Sequence, residues 1–389
     1  MARSAPSFSA FTAGEISPRL EGRTNLEKYS QGLSDLTNMV VMPHGGVTRR
    51  PGTEYLGEVK SSAVKTRLIP FQFKTSDTYI LEFGNQIMRV FRNDLQVLTS
   101  SAKTITAITK ANPGVLTSNS HGFSNGDEIF IDSVGGMTEL NGRNYRVANS
   151  TTNTFSLVDL FGNAINSTSL TTFTSGGTAT EIYETASPYA EADLFDIRFV
   201  QSADTMYLVH PSYDIRTLTR SDHNNWTFAT LSIAGSPSPG LSGANNRPSV
   251  VSFFEQRLVF GNTNNNPQTL FFSKNGDYDN FAVGTNDDDA LIYTIASNQV
   301  NAIRYLSATR VLTVGTSGGE YVLTSTNDGP VTPTTTLIRK YSNYGTSQIE
   351  PVQVADVTLF VQRGSRKIRE FKFVGDVNTG GYQAPDMTI

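Results

Sequence analysis

The feature that most constrains this chain is a strand-turn-strand cadence that returns five times. Over 66–92, Phe71-Gln72-Phe73 leads through a turn into Tyr79-Ile80-Leu81-Glu82-Phe83, then into Ile87-Met88-Arg89-Val90-Phe91. Copies over 196–218, 250–273, 300–323 and 349–373 follow, with middle strands opening at Met206, Leu258, Val311 and Val357. Those starts lie roughly 50 residues apart, the spacing of multi-stranded propeller blades. Such units recur because one alone cannot cover its own apolar face. The competing architecture is a β-sandwich whose spacing is coincidental. Composition agrees with strands and tight turns: Thr, Ser and Asn abound, Gly numbers 32, and only 17% of residues are charged. The expected fold class is therefore all-β, an irregular β-propeller with an inserted small β-barrel or sandwich domain and a short N-terminal helical arm.

Between the first and second copies the interval far exceeds one period, so 103–183 reads as an insert. Its turns, at Gly135-Gly136 and Asn141-Gly142, separate short runs such as Ile129-Phe130-Ile131 and Tyr145-Arg146-Val147. Asn-Gly between such runs is a hairpin signal. Ahead of the repeats, Leu26, Tyr29, Leu33 and Leu36 fall on one helical face and predict a helix over 25–38. Thr24 and Glu27 form its capping box, and Gly32 is its weak point. The expected divisions are an arm over 1–65, a first blade over 66–102, the insert over 103–183, and the remaining blades over 184–389.

Thirty-one Lys and Arg against 35 Asp and Glu leave a net charge of −4, unlike a protein that holds nucleic acid by neutralising phosphates. With no cysteine, thiol catalysis, disulfides and thiolate metal sites are excluded. No apolar run approaches the roughly 18 residues of a spanning helix, so stable membrane insertion is not expected. The first 18 residues lack a signal-peptide core, which predicts synthesis in a cytoplasm.

Gly315-Thr316-Ser317-Gly318-Gly319 matches the G-x-S-x-G elbow of hydrolases, but it stands between two strands and reads as a hairpin turn. His44, His121, His210 and His223 are scattered without zinc-site spacing. Asn286-Asp287-Asp288-Asp289 lacks the spaced pattern of a calcium loop. Asp277 and Asp279 beside Gly276 have only part of an aspartate box. The basic run Arg363, Arg366, Lys367, Arg369 and Lys372 reads as alternating exposure along a strand. The expectation is no catalytic residue, no cofactor and no metal: not an enzyme.

Three groups of residues carry a resemblance. The first is Phe11-Thr12-Ala13-Gly14-Glu15-Ile16-Ser17-Pro18, Gly22-Arg23-Thr24 and Gly45-Gly46-Val47-Thr48-Arg49-Arg50-Pro51-Gly52-Thr53. The second is Phe253-Phe254-Glu255-Gln256-Arg257-Leu258-Val259-Phe260, Pro267-Gln268-Thr269-Leu270 and the stretch from Phe272 to Phe281 that includes Asp277 and Tyr278. The third is Gly364-Ser365-Arg366-Lys367-Ile368-Arg369-Glu370. Together they resemble the tail nozzle proteins, or tail tubular protein B, of short-tailed double-stranded DNA phages (podoviruses). The insert, from His121-Gly122-Phe123 to Leu140-Asn141-Gly142, is similar to the first catalytic-cysteine half-domain of ubiquitin-activating enzymes. Without a cysteine that likeness implies a decoration or docking module and no thioester chemistry.

The nozzle resemblance implies a structural virion protein: a homohexamer at the tail that joins a tail adaptor, carries fibres or spikes, and passes genomic DNA without reading its sequence. It would be made in the host cytoplasm. Candidate assembly contacts on these motifs are Gly14, Glu15, Ser17, Pro18, Gly22, Arg23, Gly45, Gly46, Arg49, Arg50, Pro51, Gly52, Arg257, Gln268, Asp277, Tyr278, Arg366 and Arg369. The family's chains extend further past the fifth module, so a shortened form or a different ring closure is expected here. The alternatives are a glycan-binding or glycan-cleaving propeller and a propeller that serves as a docking scaffold.

Overall fold

A computed structural model describes residues 8–327, 329–375 and 381–388. Within them the chain forms five antiparallel sheets, each with a path of four strands in sequential order, the meander of a propeller blade; the first carries a fifth short strand, Leu95–Gln96, paired with Ile87–Arg92. The fold class is all-β, an irregular β-propeller with an inserted small β domain. It divides into two compact units, one of residues 56–233 and 238–251, the other of 1–55, 234–237 and 252–389.

In the first of these units, blade 1 runs Arg67–Lys74, Asp77–Gly84, Ile87–Arg92 and then Glu184–Ala186. Its fourth strand thus lies beyond the insert, which is spliced between the third and fourth strands of a single sheet. Blade 2 follows with Arg198–Ser202, Thr205–His210, Tyr213–Asp222 and Asn225–Thr230. Alternation places Ile69, Phe71, Leu81, Phe83 and Met88 on one face of blade 1, where they share a buried core with Met206, Leu208, Leu218 and Trp226 of blade 2. Trp226 meets the rings of Phe71 at 4.8 Å and Tyr79 at 5.3 Å, both edge-on. Each blade covers the apolar face the other cannot cover alone.

The insert is a seven-stranded antiparallel sheet ordered Ala107–Ile108, Val115–Thr117, Thr154–Val158, Arg143–Ala148, Glu128–Asp132, Thr178–Glu181, Lys103–Thr104. Its two edge strands are halves of one segment. Lys103–Thr104 pairs with Thr178–Glu181, and three residues on, Ala107–Ile108 pairs with Val115–Thr117. Between them the Ile105 amide donates to the Gly177 carbonyl and the Thr106 amide to that of Thr117, both at 2.9 Å. The sheet is closed this way into a small barrel around its own core, which includes Ile129, Ile131, Met137, Val147, Phe155 and Leu157.

Apart from Val250 and Val251, the other unit holds blade 3, which comprises Val250–Phe254, Arg257–Gly261, Thr269–Phe272 and Leu291–Thr294, and blade 4, which comprises Ile303–Ala308, Leu312–Thr316, Gly319–Ser325 and Thr336–Ser342. Blade 5 comprises Val352–Val354, Val357–Val361, Ile368–Val374 and Gly381–Gln383. Tyr305 and Val322 of blade 4 share a core with Phe360 and Phe371 of blade 5. The arm is less helical than its spacing predicts. It forms a 3-10 turn over Glu27–Gln31, followed by Gly32–Leu33 paired in parallel with Gly14–Glu15. Gly32 ends the turn, and the competing ladder captures Leu33 before a second helical turn can form.

Candidate functional site

A cluster of buried charge lies where the barrel meets blade 1. Glu82, Arg89 and Glu184 occupy adjacent strands as direct cross-strand neighbours. Glu128, the first residue of the barrel strand Glu128–Asp132, faces them. Arg89 is fully buried; its Nε donates to Glu184 at 3.2 Å and its Nη2 to Glu128 at 3.0 Å. Lys60 Nζ completes the group, 3.0 Å from Glu184 Oε1, while its backbone amide donates to Glu82 at 3.3 Å. From the barrel, Arg146 Nη2 reaches the Lys60 carbonyl at 2.8 Å.

Three carboxylates around two cations leave an anionic excess in a poorly solvated place. Burial pushes the Glu82 carboxyl above its ordinary range, with Arg89 opposing and Glu128 and Glu184 adding to the rise. Glu181 is raised too, first by burial and then by Asp127 and Glu184. Glu82 Oε2 and Arg89 Nη1 have no hydrogen-bond partner among the described residues. Chemically the group is a clasp: it fixes the barrel's orientation on blade 1, since a buried ion pair tolerates little change of geometry. Sequence reading missed it because Arg89 and Glu128 stand on opposite sides of a domain junction.

The motif residues divide by environment. In the arm, Gly14 and Glu15 form the parallel bridge, and Glu15 accepts the Leu36 amide at 3.0 Å. Ser17 caps the 3-10 turn that Pro18 begins. Gly22 donates to the Tyr29 hydroxyl at 3.3 Å, and Arg23 to Asn25 at 3.0 Å. Gly45 has φ +96°, and a Cβ there would lie 2.7 Å from that of Ala10; Met42 donates to the Gly46 carbonyl at 2.7 Å. Arg49 ends the strand Val47–Arg49, and Arg50 reaches Asn38 at 2.7 Å and the Pro51 carbonyl at 3.3 Å. Gly52 is exposed. These residues build the arm's turns while leaving Met39 and Val40 exposed on it.

In the blades two of the three motif arginines, Arg257 and Arg369, point inward. Arg257 is only 2% exposed, and its guanidinium donates to the carbonyls of Ser273, Asp287 and Asp289 at 2.8, 2.6 and 2.6 Å. The acidic loop is therefore held through its backbone, with Lys274 paired to Asp288 and Asp289. Arg369 is 8% exposed and donates to the Ala384 carbonyl at 2.6 Å and to Gln362 at 2.9 Å. Both guanidinium groups are spent inside their own blades. Gln268 bonds to Ile295 and Ser297, Tyr278 packs on Phe253, and Asp277 accepts from Asn280 at 3.1 Å. Asp277 also raises the Asp279 carboxyl by hydrogen bonding. Arg366 is exposed.

Ser317 and Gly318 are the turn between Leu312–Thr316 and Gly319–Ser325, a hairpin with no helix to make a nucleophile elbow. The histidines stand apart. His44 is exposed; His121 packs on Phe155; burial lowers the His210 pKa; His223 Nδ1 lies 2.6 Å from the Tyr79 hydroxyl. Among the described residues no three His, Asp or Glu side chains gather as metal ligands, and no helix is long and apolar enough to cross a membrane.

The geometry defines a class, a β-propeller that carries a clasped barrel within its first blade, and the comparisons with known proteins can be set beside it. Residues 112–183 match the family model of the ubiquitin-activating enzyme E1 FCCH domain, in agreement with the barrel's expected likeness. No curated protein matches the chain. Among solved structures, an endosialidase of phage phi92 is 13% identical at a TM-score of 0.31, covering 77% of this chain. The chain spans about half of that protein's length, 53%. The β-propeller domain of Cps50 (Swd1) from Myceliophteria thermophila is 10% identical, with a TM-score of 0.34 and coverage of 82% and 88%. AztD from Citrobacter koseri is 12% identical, with a TM-score of 0.31 and coverage of 78% and 68%.

Proposed function

We propose that this protein is a structural component of a phage tail, a subunit of the hexameric nozzle through which genomic DNA leaves the particle. The observation that carries the reading is the placement of the nozzle-like motifs. All of them, from Phe11–Thr53 through Phe253–Phe281 to Gly364–Glu370, fall in the unit made of the arm and blades 3 to 5. The barrel stands outside that set, in the other unit, as an addition that blade 1 accommodates.

In this reading the arm meets a neighbouring subunit or the adaptor, fibres or spikes attach to the nozzle, and no substrate is turned over. A net charge of −4 supplies no excess of cations to retain DNA by counterion release. Mass spectrometry and antibody labelling of purified particles test the assignment. The expected result is this chain at the tail tip, and its recovery only from host cytosol would overturn it.

A further inference from the structure

We propose that blades 4 and 5 form a binding groove for a neutral oligosaccharide. The proposal stands on the groove's own chemistry and does not rest on the tail reading. The cavity has a volume of about 560 Å³, within the range of small-molecule sites. Tyr341, Tyr344 and Tyr382 line it together with Ser342, Asn343 and Gln383, and among the described residues no charged side chain is part of the wall.

Each ring is held before any ligand arrives. The Arg369 guanidinium lies 3.4 Å from the centroid of Tyr344 and is anchored by the Ala384 carbonyl and Gln362. Tyr382 is stacked on Phe371 at 5.1 Å and 15°, and Tyr341 meets Tyr382 edge-on at 5.3 Å. Tyr344 remains 42% exposed. Ser342 donates its hydroxyl hydrogen to the buried Glu320, which fixes its rotamer and leaves its oxygen as an acceptor.

Fixed aromatic faces beside amides and a hydroxyl are complementary to a sugar, whose C–H faces pack on rings while its hydroxyls bridge to amides. The described wall favours neutral sugars: Arg369 is spent on Tyr344, Ala384 and Gln362 and Glu320 on Ser342, so a charged ligand would be desolvated there without a free counter-charge. A proline-rich peptide also favours aromatic grooves, but its carbonyls can only accept and its prolines have no N–H, so it meets the amide NH2 groups of Asn343 and Gln383 and leaves their carbonyl oxygens without a donor, whereas sugar hydroxyls both donate and accept. Rings already locked by Arg369 and Phe371 need little ordering on binding.

The test is retention of the full-length chain on an array of neutral and sialylated glycans, followed by titration calorimetry with the best neutral oligosaccharide and with a proline-rich decapeptide. Neutral glycans should be retained in preference to both other probes. Tyr344→Ala should weaken that binding about tenfold, the loss of one aromatic platform. Tyr344→Phe should keep it, and Asn343→Ala, at an exposed position outside the core, should weaken it with the melting temperature unchanged. Retention of no neutral glycan, equal binding by Tyr344→Ala and Asn343→Ala, or preference for the peptide would each overturn the proposal.

Discussion

Arg89 shows how a single side chain can tie two folded parts together. Removing it as Arg89→Met leaves Glu82 and Glu128 buried without their cation, so the protein should lose about 3–5 kcal/mol in denaturant unfolding. Adding Glu128→Gln should restore part of that, with a coupling energy of about 1–3 kcal/mol. Additive effects would mean that the clasp is not a unit. The pH dependence has a definite sign. Glu82 has a folded pKa above its unfolded value, so its contribution is full below about pH 4.5 and is lost as pH rises through the folded pKa. Glu82→Gln should therefore gain on the natural chain between pH 4 and pH 7, read as a rising difference in unfolding midpoint; a constant difference would contradict this. Asp77 has the opposite sign, since Arg92 and Lys74 lower its carboxyl to about 2 and its contribution fades as pH falls below 4. None of this was legible beforehand. Charged residues on strands read as solvent-facing, and Arg89, Arg257 and Arg369 are buried because carbonyls or carboxylates meet them, which no local pattern records.

At the scale of elements, alternation made the first three strands of most blades readable, as in Phe71-Gln72-Phe73 and Val357-Thr358-Leu359-Phe360-Val361. Three of the fourth strands escaped for a physical reason. Glu184–Ala186 and Gly381–Gln383 have three residues each, and Leu291–Thr294 follows a long loop, so their pairing is dictated by the sheet they join. The arm failed differently, because a helical spacing of four apolar residues was outweighed by Gly32 and a bridging strand. The barrel was read as a barrel or sandwich, and the closing segment 103–108 decides for the barrel. Its ends are adjacent through the pairing of Lys103–Thr104 with Thr178–Glu181, and its core is its own. Residues 103–183 produced alone should therefore melt cooperatively by circular dichroism; a structureless or non-cooperative chain would show that it depends on blade 1. Gly136 has φ +80°, and a Cβ there would lie 2.1 Å from the Thr172 carbonyl oxygen. Gly136→Ala should lower the stability of that isolated domain by about 1–3 kcal/mol, measured by the same melt.

For the whole molecule, the repeat period alone points to the propeller class, because blades are local units whose periodicity survives in sequence. The proposed place in a phage tail rests on motifs that lie in the arm and blades 3 to 5, and the buried Arg257 and Arg369 argue that part of each blade motif maintains its blade. Contact residues are then better sought in the arm, where Met39, Val40 and Tyr55 are exposed. Electron cryomicroscopy of purified phage particles is the most direct measurement. The account predicts six copies of this chain around the tail axis, with arms engaged by neighbouring subunits or the adaptor. Particles whose tails contain no density for these blades, with the chain left as a monomer in the lysate, would contradict it.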